Sequence, residues 1–349
     1  MRDFLKSAFG RSKPKQLRIL PQDVTIGLGP GQTLLEAALA NGIAYPHDCT
    51  VGTCASCKTR LKQGRVREAT PFGYTLSKEE LDAGYILACQ AFPKDDLTVV
   101  EIEPPAADLL PPGKYTASIM ATEPLTHDIL KVTVQTDRAV CYAAGQYANL
   151  RKAGGGRARS YSFANAPQRK GRTVLEFYIR KVPGGEFTEA LFAGELNGMP
   201  LEMEAPLGTF HLRGGDSRMV CIAGGSGLAP LVSILEHARA NRIKRDCTLL
   251  FGARTQADLY QLDAIGNIAS NWQGDFRFIP VLSHEPLDSN WRGARGLVTD
   301  HIAPGFCEGA EGYLCGPPLM IDAAIARLAR HGMPIEKVFY DKFTDSRDN

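Results

Sequence analysis

The sequence predicts a multidomain chain of three modules: a small mixed α/β sheet carrying a cysteine-rich loop, an antiparallel β-barrel, and a doubly wound parallel sheet. Three observations carry this. Cys49, Cys54 and Cys57 stand in C-x4-C-x2-C spacing, with a fourth thiol at Cys89. Short apolar runs separated by turn residues fill positions 115 to 204. Beyond them, the strand-like run Met219-Val-Cys-Ile-Ala223 leads into Gly224-Gly225-Ser226-Gly227 and a helical pattern, after which strands and helices alternate.

With 349 residues the chain has material for two or three separate cores. Lys plus Arg number 40 against 38 for Asp plus Glu, so no strong field invites nucleic acid. Cys141, Cys221, Cys247, Cys307 and Cys315 lack the paired spacing of a disulfide framework, which points to a reducing, cytoplasmic setting. The basic stretch from Met1 to Gln16 has no apolar core of signal-peptide length and reads as a frayed tail. Met219 to Leu235 is uncharged, but Gly224, Gly225, Gly227 and Pro230 interrupt it, so no membrane span is expected.

In the first module, Leu17–Leu20 and Val24–Ile26 read as strands around a turn, and Thr33–Ala40 as a helix stopped by Asn41-Gly42. Lys58–Lys62 and Arg65–Arg67 alternate around Gln63-Gly64, Ser77-Lys-Glu-Glu80 is a capping box, and Leu97–Ile102 closes the unit. The thiol spacing is the plant-type signature of a [2Fe-2S] cluster. Three ligands come from one tight loop whose small residues, Gly52, Ala55 and Ser56, leave backbone N–H groups open to the sulfurs, and the fourth arrives from a distant segment. A zinc site is the rival, but its cysteines usually come as two C-x2-C knuckles, and Cys89 stands alone. His47 lacks the second histidine a Rieske centre needs. Residues 17–103 thus resemble a plant-type ferredoxin domain, which implies a β-grasp fold with Cys49, Cys54, Cys57 and Cys89 as ligands.

Pro104 to Gly113 is proline-rich and reads as a linker. The barrel module, 114–213, has its strands at Tyr115–Met120, Ile129–Val134, Tyr147–Leu150, Thr173–Val182 and Leu201–Glu204, with a short helix at Phe187–Phe192. Arg159-Ser-Tyr161-Ser162 places a cation, an aromatic face and a small hydroxyl close together, as a flavin requires. Phe177-Tyr178-Ile179-Arg180 and Gly184-Gly185-Glu-Phe-Thr188 follow, the glycines standing where N–H groups can face a pyrophosphate. These motifs resemble the ferredoxin-NADP reductase family. The resemblance implies that Arg159 holds the flavin pyrophosphate, Tyr161 stacks on the ring and Ser162 lies near N5 in a catalytic role. Tyr178, Ile179, Arg180, Gly184, Gly185 and Thr188 match its further flavin motifs, with Thr188 where Ser is common.

In the third module, 214–343, Gly225-Ser226-Gly227 opens a helix as a phosphate cradle, with Pro230 in its first turn. Strands are expected at Cys247–Gly252, Arg277–Leu282 and Gly312–Cys315, with helices near Leu259–Ile268 and Leu319–His331. Gly225 to Pro230, Gly252-Ala-Arg254 and Cys315-Gly316-Pro317 occur in the order found in the nicotinamide half of the same family. That implies pyrophosphate binding by Gly225, Ser226 and Gly227, cofactor contact by Arg254 and Gly316, a catalytic place beside the nicotinamide for Cys315, and shielding of the flavin by Tyr340 or Phe343. The whole, from about residue 17 to 343, resembles the reductase components of multicomponent bacterial oxygenases. It implies an NAD(P)H:acceptor oxidoreductase passing electrons through FAD, which the ferredoxin-first order favours over FMN, and a [2Fe-2S] cluster to a terminal oxygenase or its ferredoxin. A related reductase feeding a deoxysugar dehydrase or desaturase is the alternative. NADH is expected over NADPH, because Asp258 is able to accept from a ribose hydroxyl and no basic pair follows Arg254.

Overall fold

Alternating apolar and polar side chains fix the first sheet. β1 (Lys15–Leu20) turns Leu17 and Ile19 into the core and forms a hairpin with β2 (Val24–Leu28). α1 (Leu34–Ala40) starts from a Thr33 capping box in which Glu36 N–H donates to Thr33 Oγ1 at 3.2 Å and Thr33 N–H to Glu36 Oε2 at 2.8 Å. Next come β3 (Lys58–Gln63), β4 (Val66–Glu68), α2 (Lys78–Asp82), β5 (Tyr85–Leu87), β6 (Ala91–Pro93) and β7 (Leu97–Glu101). The main sheet runs β2-β1-β7-β3-β5, with β4 and β6 as a separate pair. This computed structural model describes residues 15–43, 45–47, 52, 55–102 and 110–343, which fall into two compact units on either side of residues 103–109.

The second unit opens with an antiparallel sheet: β8 (Gly113–Pro124), β9 (Ile129–Val140), β10 (Tyr147–Lys152), β11 (Arg159–Ser162), β12 (Arg172–Arg180), then α3 (Glu186–Phe192) and β13 (Pro200–Leu207). Its order is β11-β10-β13-β8-β9-β12, and a bridge from Phe163, just past β11, to Phe177 of β12 brings the two edges together. β8 and β9 extend beyond the apolar runs that predict them. Polar residues such as Thr122, Gln135 and Thr136 continue the ladder, which a sheet with one wet face allows.

A six-stranded parallel sheet completes the unit: β14 (Arg218–Gly224), α4 (Leu228–Ala240), β15 (Cys247–Ala253), α5 (Leu262–Ser270), β16 (Phe276–Leu282), β17 (Ala294–Arg295), α6 (Pro304–Cys307), β18 (Ala310–Gly316), α7 (Pro318–Arg330) and β19 (Val338–Lys342). Strand order β17-β16-β15-β14-β18-β19 puts the reversal between β14 and β18, where doubly wound sheets open their crevice. α5 begins three residues later than the apolar pattern implies, because Leu259 is extended and Gln261 takes a left-handed φ of 58°. No helix among the described residues is long and apolar enough to cross a membrane.

Candidate functional site

Two of the four predicted cluster ligands, Cys49 and Cys54, lie outside the described residues; Cys57 and Cys89 lie within them. Both described thiols are buried in one core, and Ala88 N–H donates to the Cys57 carbonyl at 3.1 Å, so the loop exit and the distant ligand segment are joined directly. Lys58, the next residue, pairs at 2.6 Å with Glu80, whose side chain is wholly buried inside the Ser77 capping box. Gly52 has φ 87°, and a Cβ there would stand 2.7 Å from Gln90 Cγ, so the position demands glycine. Gln90 Nε2 in turn lies 3.6 Å from Cys89 Sγ as a donor, the kind of N–H···S contact that tunes an iron-sulfur ligand. These residues fit a [2Fe-2S] group.

At the barrel edge, the two-residue period puts Arg159 and Tyr161 on one face of β11 and Ser162 on the other. Tyr161 packs against Phe187 of α3 with ring centroids 5.7 Å apart, and burial pushes its phenol up. Ser162 is buried at the strand end. Lys152, Gly156, Arg157, Arg159, Glu186 and Phe187 line a small cavity, and among the described residues neither Arg157 nor Arg159 has a carboxylate partner. Two unmatched guanidinium groups beside an aromatic face fit the phosphates and ring of a flavin. The Gly184-Gly185 loop is differently occupied from the expectation. Gly184 N–H donates to Glu189 Oε1 at 3.3 Å and Gly185 N–H to the Val182 carbonyl at 2.9 Å, while Thr188 Oγ1 accepts from Val182 N–H at 3.1 Å. Both glycine N–H groups and the hydroxyl thus serve the loop's own shape.

The third site is a cleft of about 220 Å³ at the carboxyl ends of β14, β15 and β16. Gly227 is there because a Cβ would fall 2.2 Å from the Cys315 carbonyl oxygen, so only glycine lets the turn before α4 lie against the end of β18. Gly225 has φ 55°, and its carbonyl accepts from the Tyr260 hydroxyl at 2.9 Å. The Tyr260 ring meets Tyr178 edge-on, with centroids 5.6 Å apart. Along β12, Ile179 is buried in the barrel core while Tyr178 packs with the nucleotide-side cluster and Arg180 lines the cleft. Ser226 is buried in the turn beneath α4, and the Gly316 carbonyl accepts from Phe343 N–H at 2.9 Å, which places Phe343 beside the β14–β18 reversal.

Cys315 has no exposed surface, and burial holds its thiol well above its usual value, while its neighbours Pro317 and Met320 line the cleft. Asp258 does not present a free carboxylate. Its Oδ2 accepts from Thr255 N–H at 2.9 Å and Thr255 Oγ1 at 3.1 Å, and its Oδ1 from Arg254 at 2.7 Å. Sequence reasoning missed Asp128, in the β8–β9 turn, whose Oδ2 accepts from Arg180 Nε at 3.0 Å and Arg254 Nη2 at 3.2 Å. Burial alone would raise the Asp128 pKa, but the Thr126 hydroxyl and the two arginines outweigh it and hold the carboxyl below its ordinary range; Asp258 is lowered likewise against its burial, by Arg254 and Thr255. The signal available in the sequence was Thr126-His127-Asp128, a polar triplet between two strand patterns.

Comparison with known proteins finds one family model for each of three successive stretches of the chain. A family model for the 2Fe-2S iron-sulfur cluster binding domain covers residues 17–94, one for the oxidoreductase FAD-binding domain covers 116–212, and one for the oxidoreductase NAD-binding domain covers 221–325. The chain is 42% identical over 347 residues to the xylene/toluene monooxygenase electron transfer component of Pseudomonas putida, covering 98% of each. It is 39% identical to the reductase subunit of an aromatic O-demethylase from an Amycolatopsis species, over 90% of this chain and 95% of that one. Among solved structures, an Amycolatopsis cytochrome P450 reductase superposes with TM-score 0.68 at 36% identity, covering 95% of this chain and 99% of the other. The ferredoxin reductase in carbazole 1,9a-dioxygenase gives TM-score 0.66 at 30% identity, with 95% and 98% covered.

Proposed function

This chain belongs to the ferredoxin-NADP reductase superfamily, in the group that carries an N-terminal [2Fe-2S] domain, and on that premise we propose that it supplies single electrons from NADH to a terminal oxygenase component. The observation that carries the reading is the succession of a cysteine loop, a barrel edge with unmatched arginines and a glycine-bounded cleft, over nearly the full length shared with oxygenase electron-transfer components. When bound, the flavin supplies the conversion of a two-electron hydride donor into single electrons, and the [2Fe-2S] centre supplies one-electron transfer.

The chain's own residues bind and orient. Arg159 and Arg157 answer the flavin phosphates, and Tyr161, set by Phe187, offers the ring face. Gly225 and Ser226, at the amino end of α4, face the nucleotide pyrophosphate, and Arg180 contributes its cation to the same cleft. Tyr178 and Tyr260 brace the barrel against the glycine turn. Cys57 and Cys89, with Cys49 and Cys54, hold the cluster. NADH is favoured because the charge of Arg254 is already balanced within the cleft. The acceptor we favour is an aromatic-ring hydroxylating dioxygenase or monooxygenase; a deoxysugar dehydrase or desaturase is the competing class.

Anaerobic titration of the purified protein with NADH and with NADPH, followed by mixing with candidate acceptors, tests the whole scheme. The flavin band should bleach first, the iron-sulfur band next, and both should recover when an oxygenase component is added. Replacing Cys89 with Ser should abolish delivery to the acceptor while flavin reduction persists. A folded variant that no longer reduces its flavin would contradict this division of labour.

A further inference from the structure

Tyr45 belongs to the same core as Cys57 and Cys89 and is only 3% exposed. Its hydroxyl is buried and has no hydrogen-bond partner among the described residues. Native cores hold few such groups, because a buried hydroxyl without a partner has given up its bonds to water for nothing. Phenylalanine would fill the same space without that loss, so the oxygen calls for a reason.

Its surroundings supply one. Cys57 and Thr59 are buried, whereas Lys58 between them is half-buried and Arg60 is exposed, so Cys57 and Thr59 share the inward face at the start of β3. The Tyr45 phenol lies near that face, where the Thr59 hydroxyl and the thiols of Cys57 and Cys89 act on it. Thr59 does not satisfy it: Thr59 Oγ1 donates to the Glu101 carbonyl at 2.8 Å, and the two hydroxyls stand outside hydrogen-bond geometry. Burial raises the phenol's pKa most, Thr59 opposes this and the two thiols add to it, so the group keeps its proton. A neutral O–H with no acceptor to fix its direction turns in the local field. Four cysteine thiolates holding a cluster make that field negative, and an added electron makes it more so.

We propose that Tyr45 tunes the reduction potential of the cluster: its unpartnered hydroxyl turns its hydrogen toward the thiolates of Cys57 and Cys89 and stabilises the form that carries the extra electron. The inference rests on reading Cys49, Cys54, Cys57 and Cys89 as ligands of a [2Fe-2S] group. One electron enters from the flavin and one leaves to the acceptor, while Tyr45 neither gains nor loses a proton. Gln90 Nε2 serves Cys89 as a direct donor at 3.6 Å, whereas Tyr45 acts without such a bond, through the low dielectric of the core.

The test is the midpoint potential of the cluster in the full-length holoprotein, followed by electron paramagnetic resonance during redox titration, in wild type, Tyr45→Phe and Thr98→Val. Thr98 is the control, because its hydroxyl is also buried and partnerless among the described residues but lies beside Gly64, at the end of β3 away from Cys57. Tyr45→Phe should weaken the electron affinity of the cluster about threefold, a downward shift of about 28 mV at about 59 mV per tenfold for one electron, with the iron-sulfur absorption retained. Thr98→Val should keep the wild-type potential. An unchanged potential in Tyr45→Phe, or an equal shift in Thr98→Val, overturns the inference. A Tyr45→Phe protein that does not fold or no longer holds its cluster overturns it too, because the hydroxyl would then serve structure or assembly. A wild type without iron-sulfur absorption overturns the reading of the four cysteines instead.

Discussion

On the proposed function the barrel edge and the nucleotide cleft both receive phosphates, yet they treat their cations in opposite ways. Among the described residues, Arg157 and Arg159 have no carboxylate partner, whereas Arg180 and Arg254 share Asp128 and Arg254 has Asp258 as well. A site for a resident cofactor gains from leaving its cations unmatched, because every interaction goes to retention. A site whose dinucleotide must leave after each turnover gains from internal counter-ions, which lower the net cost of release. The glycines differ in the same sense. Gly227 is required by another backbone, while Gly184 has φ 73° and open space around its α-carbon.

The largest effect should come from that glycine contrast. Gly227→Ala must push the turn before α4 away from the end of β18, because the new Cβ would fall 2.2 Å from the Cys315 carbonyl. We expect a loss of about 3 kcal/mol from overpacking, read by denaturant unfolding, together with loss of nucleotide binding. Gly184→Ala meets no neighbour and pays only for the left-handed backbone, about 1 kcal/mol. Equal losses in the two variants would erase the distinction between the loops.

A smaller effect separates the arginines. Arg159→Ala removes an unmatched cation, so flavin affinity should fall roughly 10- to 100-fold, the equivalent of one charge-assisted hydrogen bond. Equilibrium dialysis or flavin fluorescence reads it. Arg254→Ala removes a cation already neutralised, and NADH affinity should change by less than about tenfold. If Arg254→Ala costs as much as Arg159→Ala, the internal counter-ions do not dampen the cleft.

Much of this architecture is written in local sequence. The Thr33 and Ser77 capping boxes, the glycine turn before α4 and the apolar run of β14 each follow from neighbours within a few residues, and each is present. What escapes is what depends on distant partners. Asp128 and Arg254 are 126 positions apart, and no local pattern announces that their side chains meet. Asp258 was legible as an acid beside the cleft, but its direction is set by Thr255 and Arg254. Cys315 was legible as a strand end, while its complete burial goes with the close approach of the Gly225–Gly227 turn that Gly227 permits.

The smallest effect sharpens the comparison by its absence. Asp128 and Asp258 both have folded values below the unfolded carboxylate value of about 3.9, despite burial that opposes this. A carboxyl lowered on folding contributes stability that is present above the unfolded value and lost as pH falls through the folded one. The grip on Arg254 is therefore complete throughout the neutral range and loosens only in strong acid. Measured as the kcat/KM ratio of NADPH to NADH, discrimination should stay within about twofold between pH 6 and 8, since neither carboxyl changes charge there. A ratio that moves with pH would show that the two carboxylates do not control discrimination.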